Sequence, residues 1–211
     1  MNTEVIGQDV HAMVDLDGQD VHAMVDLDGQ DVHAMVDLET LATSIDASIA
    51  SLGATAWQRR PYPCIDLFLR PELKLLINIA NQPTRRFDGA TILWWLRQSK
   101  EAQEATFGKG AERLGLRPAL TELYNWAVKL KVTHWWSWPA QYDLALLDHA
   151  YAQFEMQAPW KRKNLNCART ICSFLKVQRN PNPLKHDPLE DARVQADAVR
   201  RAFALVDKGK K

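Results

Sequence analysis

Residues 29–39 read GQDVHAMVDLE, the last of three consecutive copies of an eleven-residue unit that stands as GQDVHAMVDLD at 7–17 and again at 18–28, and Thr40 follows. In the last copy Val32, Ala34, Val36 and Leu38 alternate with His33, Met35 and Asp37. That period of two predicts a strand with one side chain set turned to the core. A solenoid needs every repeat to stack on a like neighbour, and nothing downstream repeats. Duplication of a segment therefore explains the triplicate, and one copy must take the strand. The third copy is the expected one, because it alone ends in Asp37-Leu38-Glu39-Thr40 and runs directly into the next element. Docking the second copy would offer Asp26 and Asp28 instead, and the longer connection would cost only about 1 kcal/mol of closure entropy. The chain is accordingly divided into an N-terminal extension with two spare copies (1–31), a domain at 32–206 and a basic tail at 207–211.

Downstream of the repeat, residues 47–57 and 64–69 (CIDLFL) read as two more strands joined by short polar or Pro-containing links, as in an antiparallel meander. Helical patterns follow at 89–106 and 118–131, with Pro118 suited to a first turn. A short buried strand is expected at 132–137, a helix at about 141–154, a mixed segment at 160–178, and a last helix at about 188–206. Strands followed by helices flanking a further strand predict an α/β fold with a mixed central sheet flanked by helices. The 211 residues suit one such domain with a sizeable core.

Formal net charge is zero, so the chain as a whole is no electrostatic trap for nucleic acid. Such binding has to come from local clusters such as Arg85-Arg86, Lys161-Arg162-Lys163 and Lys176–Arg179, each of which is equally a solvated surface. Cys64, Cys167 and Cys172 have no metal-ligand spacing and read as reduced thiols. With no apolar run long enough to span a bilayer and no signal peptide pattern, the expected protein is soluble and cytoplasmic, without a membrane partner.

Asp37 and Glu39 stand two apart on a strand, so both carboxylates leave the same face. Paired carboxylates without basic partners repel unless a cation lies between them, and hard oxygen ligands suit Mg²⁺ or Mn²⁺. Two solvated acids at a strand end are the plainer alternative. Near the C-terminus, KHDPLEDARVQADAVRRAF (185–203) offers Asp187 as a helix N-cap, Pro188 as first helical residue and Glu190 as the far half of a capping box. His186 and Asp191 then occupy the two positions whose side chains meet across a helix start. An imidazole of near-neutral pKa beside such a carboxylate suits a general base. Between these pieces, HWWSWPAQYDLALLDHAY (134–151) places Asp143 in the first turn of a helix, where the helix dipole alone also explains an acid. Asp148 falls on another side of that helix.

Together these pieces resemble the DEDD superfamily of 3′-to-5′ exonucleases in its histidine-bearing subclass. Asp37-Leu38-Glu39-Thr40 resembles the first motif, Tyr142-Asp143 the second, and His186 with Asp191 the third. The runs 91–105 and 159–171 resemble the phage and bacterial branch that includes exodeoxyribonuclease VIII-like proteins and a mycobacterial-type exoribonuclease. Trp138–Gln141 stand where that branch commonly has Asn-Gly, a departure that bears on nucleotide contacts. The resemblance implies a ribonuclease H-like exonuclease fold in a bacterial or phage-infected cell. It implies two divalent ions, Mg²⁺ or Mn²⁺, with Asp37, Glu39, Asp143 and Asp191 as ligands and His186 as the base. The implied reaction releases nucleoside 5′-monophosphates from DNA or RNA 3′ ends. It further implies that Thr40 and Leu41 meet the terminal nucleotide and that Arg169, Lys161 and Lys163 meet phosphates. Trp94, Trp95, Trp135 and Trp136 are core residues or base-stacking surfaces. The alternative is a catalytically inactive nucleic-acid-binding protein on the same fold, or a self-associating scaffold in which HAMVDL units pair as hairpins. A homo-oligomer is compatible with either.

Overall fold

A computed structural model describes residues 31–59, 71–108, 112–182 and 184–209. The first two repeat copies, the strand expected at 64–69 with Cys64, and the last two residues of the basic tail lie outside the described residues. The third copy forms β1 (Val32–Thr40) at the centre of a five-stranded sheet. β2 (Ile49–Gln58) pairs antiparallel to it, and β3 (Glu72–Leu76) pairs antiparallel to β2. On the other side of β1, β4 (His134–Ser137) and then β5 (Leu165–Cys167) run parallel. The order β3-β2-β1-β4-β5 gives the mixed α/β sheet expected of a ribonuclease H-like nuclease fold.

The helices are α1 (Gly89–Trp95), α2 (Lys100–Phe107), α3 (Leu116–Lys129), α4 (Asp143–Gln153), α5 (Ala168–Phe174) and α6 (Pro188–Lys208). The single helix expected at 89–106 is two. Leu96 caps α1, and the Ser99 hydroxyl accepts from the Ala102 N–H to start α2. Neither Gly nor Pro marks that break; the polar run Arg97–Glu101 with Ser99 as N-cap is its sign in the sequence.

Both faces of β1 are buried, beyond the one-sided strand that its alternation suggested. Val32, Ala34, Val36 and Leu38 pack with Leu120 and Leu123 of α3 and Leu144, Leu147 and Tyr151 of α4. On the reverse face, Met35 packs with Trp57 and Trp136 against Ala192, Ala196, Val199 and Ala202 of α6. Those four residues recur every three or four positions, a helical stripe, and three are alanines that let the helix lie close on the sheet. Trp95, Trp135 and Trp136 are core, whereas Trp94 is 42% exposed. Cys172 is buried and Cys167 half-buried, both as free thiols. Among the described residues no helix is long and apolar enough to cross a membrane.

At the end of β1 away from the acids, His33 is enclosed by Trp57, His134, Trp136 and Phe203, and its Nδ1 accepts from Trp136 Nε1 at 2.9 Å. Burial, then the charges of His134 and Arg59, lower its pKa from 6.5 to about 3. A folded pKa below the unfolded one means that stability is fully present above about pH 6.5 and falls as the unfolded chain takes up the proton first. Replacing His33 with Gln, which cannot titrate, is therefore expected to flatten the fall of melting temperature on acidification below that value. Parallel melts of the two proteins across the acid range check this, and an unchanged slope refutes it.

Candidate active site

Four acids from three elements converge beyond the carboxyl end of β1. Asp37 and Glu39 leave β1 on the face covered by α6, Asp143 opens α4, and Asp191 lies in the first turn of α6. They line a cleft of about 760 Å³ together with Trp138, Tyr142, Arg179, Lys185, His186 and Gln195. Asp148, the rival acid on α4, is turned elsewhere, bound to Trp160 Nε1 and Arg162.

The start of α6 is built as its sequence suggests, with one difference. The Asp187 carboxylate accepts from the Leu189 and Glu190 N–H groups, and Pro188 takes the first turn, where its missing N–H costs nothing. Glu190 does not complete a capping box, because it pairs with Arg193, while the Asp187 N–H bonds to the Leu184 carbonyl. Lys74 of β3 ties the cap to the sheet, its Nζ 2.5 Å from Asp187 Oδ2. Gly53 of β2, opposite Asp37 in register, leaves room for the main chain of Pro188 and Leu189; a Cβ there would overlap both.

His186 sits just before this cap in the left-handed region, with φ 64°. A non-glycine residue there costs about 1–2 kcal/mol, so its surroundings must hold it. Its N–H donates to Asp191 Oδ2 at 3.0 Å, its carbonyl accepts from Thr106 Oγ1 at 3.1 Å, and its ring meets Trp94 edge-on at 4.8 Å. His186 and Asp191 thus meet, but through the histidine backbone. The imidazole Nδ1 instead lies 3.7 Å from Glu39 Oε1, and Glu39, His186 and Asp191 bring their ligand atoms within 4.8 Å of one another. Asp37 Oδ1 accepts from Gln195 Nε2 at 2.7 Å, and Asp143 Oδ1 from the Leu38 N–H at 3.3 Å.

Electrostatics set Asp37, Glu39 and Asp143 apart from ordinary surface carboxylates. Burial, then the neighbouring charges of Asp143, Glu39 and Asp191, push the Asp37 pKa well above its usual range, against the Gln195 hydrogen bond. Burial raises Glu39 too, while its pairing with His186 opposes. Asp143 is pushed up to about 7, mainly by burial, despite the N–H of Leu38. Pairing with Glu39 raises the His186 imidazole, against burial. Clustered buried carboxylates that resist ionisation together are what a cation would relieve. Oxygen ligands of this kind, from flexible side chains in a polar cleft, fit Mg²⁺ or Mn²⁺.

Residues 32–203 match the family described as the 3′-5′ exoribonuclease Rv2179c-like domain. The chain belongs to that family. It thus carries a 3′-5′ exoribonuclease-like domain. Among solved structures, the chain is similar to the one titled "Crystal structure of cell-death related nuclease 4 (CRN-4)", at 8% identity and a TM-score of 0.46. That alignment covers 83% of this chain and 64% of the other, so this chain spans less than two thirds of that nuclease. No curated protein gives a significant match.

The cleft of this exonuclease domain differs from its expected lining in the binding residues. Lys161 and Lys163 precede β5, at the opposite end of the parallel strands from the acids, and do not line the cleft. Arg169, exposed in the first turn of α5, does not line it either. Arg179 and Lys185 do, on the segment leading into His186, with the Arg179 guanidinium 4.9 Å from the Trp138 ring. Arg179 belonged to a recognised basic cluster but had no mark in sequence to rank it above the others. Thr40 and Leu41 are buried, and neither lines the cleft. Thr40 Oγ1 bonds to Tyr142 Oη and the Ala42 carbonyl, and its own carbonyl accepts from Trp95 Nε1. Their contribution here is to tie β1 to α1 and to the turn before Asp143. Gln195 went unnoticed in sequence, although it stands one helical turn beyond Asp191 and so shares its face.

Proposed function

We propose that this chain is a metal-dependent 3′-5′ exonuclease of the histidine-bearing DEDD subclass, in the phage and bacterial branch, releasing nucleoside 5′-monophosphates from nucleic-acid 3′ ends. The observation that carries the reading is the convergence of Asp37, Glu39, Asp143 and Asp191 with His186 in one cleft, within a chain of the 3′-5′ exoribonuclease-like family. Asp37, Glu39 and Asp191 would hold divalent ions, Mg²⁺ or Mn²⁺, with Asp143 completing the set. Such ions supply charge neutralisation for the phosphodiester and acidify water at neutral pH.

The chain's own groups do the rest. His186 is held beside Glu39 and Asp191 by its backbone bonds and the Trp94 ring, so its imidazole is placed to take the proton of an attacking water. Arg179 and Lys185 line the cleft and are the groups we assign to the substrate phosphates there. The substrate is DNA or RNA with an accessible 3′ end, and the compartment is the cytoplasm of a bacterial or phage-infected cell.

Digestion of matched 3′-labelled DNA and RNA strands tests this, with and without chelator. Wild type is expected to release mononucleotides from the labelled end when Mg²⁺ or Mn²⁺ is present and to stop in chelator. Asp191→Asn keeps an acceptor for the His186 N–H yet removes the charge, and turnover is expected to fall by about 10² to 10⁴. Folded protein that binds strands and leaves them intact with either ion would instead favour the inactive binding protein.

A further inference from the structure

Gln195 lies on α6 four residues beyond Asp191, 2% exposed, in the wall of the cleft. Its Nε2 donates to Asp37 Oδ1 at 2.7 Å, while its Oε1 is buried and has no hydrogen-bond partner among the described residues. An amide has two ends, and the two choices here differ in kind. Turned over, it would set its oxygen against a carboxylate oxygen that can only accept when ionised. As it lies, with its N–H on Asp37, the amide leaves its oxygen buried and unmet. Buried carbonyl oxygens are rarely left so, and each such exception calls for a partner.

We infer that Gln195 is a positioning residue: its amide N–H orients the Asp37 carboxylate for a divalent ion, and its oxygen accepts from that ion's hydration shell. The inference rests on the cation-site reading given above. Mg²⁺ sheds water reluctantly and Mn²⁺ keeps oxygen-rich coordination, so an ion in a carboxylate cleft brings water donors to the acceptors around it. A water donor satisfies Oε1 without displacing the bond to Asp37. Nothing else described in the cleft offers Oε1 a donor within hydrogen-bond distance. Partners of this outer kind set the orientation of a ligand, and their loss lowers metal affinity while leaving the fold alone.

Titrating Mn²⁺ into the full chain by calorimetry tests the inference, with thermal melts in chelator and in saturating Mn²⁺ alongside. Gln195→Met keeps the volume and removes both polar ends; Gln195→Ala serves if methionine packs poorly. The variant is expected to melt in chelator at or above the wild-type temperature, because an unmet buried oxygen is gone. Its Mn²⁺ affinity is expected to fall by about 10- to 100-fold, with a smaller metal-induced rise in melting temperature. Wild-type affinity in the variants overturns the inference. So does a lower melting temperature in chelator with the metal-induced rise intact, which would mark Gln195 as a packing residue alone. A wild type that binds no Mn²⁺ and leaves strands uncut overturns the cation-site reading and this inference together.

Discussion

Replacing Asp37 with Asn is expected to stabilise the metal-free protein and to abolish turnover. Burial, with Asp143, Glu39 and Asp191 adding to it, raises the Asp37 pKa in the fold above its value in the unfolded chain. Between those two values the folded protein holds more protons, so this group's contribution to stability is present at low pH and is lost as pH rises through the folded pKa. At neutral pH wild type thus bears the cost of ionising Asp37 or of keeping it protonated. Asparagine removes the charge but keeps an oxygen for Gln195 Nε2, so the hydrogen bond survives. A gain of even 1 kcal/mol moves the melting temperature of a domain this size by about 2–4 °C. Saturating divalent ion should reverse the order, because it stabilises wild type by mass action, about 2.7 kcal/mol at a hundred times its dissociation constant, and finds a weakened site in the variant. Melts of both proteins in chelator and in Mg²⁺ measure the crossing. A variant less stable than wild type in chelator would mean that the Asp37 charge is already neutralised by the protein itself.

That trade of stability for a charged site also explains what was legible in the sequence. Local chemistry was: the alternation of Val32–Leu38 marked β1, the Asp-x-Glu spacing put two acids on one face, and Asp187-Pro188 marked the start of α6 to the residue. Helix geometry set Asp143 and Asp148 on different sides, and the resemblance of Tyr142-Asp143 to the second motif chose between them. What was illegible depends on which elements the fold lays side by side. Lys161 and Lys163 looked well placed as a cluster, yet the direction of β5 puts them at the far end of the sheet. The burial of His33 and Met35 required α6 to cover the second face of β1, and no local pattern in β1 announces a second cover. Gln195 is an ordinary helix residue until α6 is laid across Asp37. The Glu190 half of the capping box gave way instead to a local i, i+3 pair with Arg193, which Glu72 on β3 also holds.

Gly53→Ala is expected to be strongly damaging, although Gly53 does not line the cleft. Its backbone is ordinary strand, so the demand for glycine is spatial. A Cβ on Gly53 would overlap the Pro188 carbonyl group and the Leu189 nitrogen, which are main-chain atoms and cannot rotate aside as a side chain would. The start of α6 must then lift off β2. Overpacking of this kind costs about 1–3 kcal/mol, or a few degrees of melting temperature for each of them. The loss of activity should be larger than the loss of stability. The same turn of α6 carries Asp187, whose carboxylate is anchored by Lys74, and it sets the distance from His186 and Asp191 to Glu39 across the cleft. A displacement of about 1 Å at a reacting centre is enough for a 10²-fold fall in rate. The two readouts separate the causes. At a temperature well below its melting point, the variant should still show its rate lowered by about that factor, with nucleic-acid binding through Arg179 and Lys185 much less affected. Wild-type turnover in a folded Gly53→Ala protein would show that the site tolerates movement of α6, and that the close seating of Pro188 on β2 serves packing rather than catalysis.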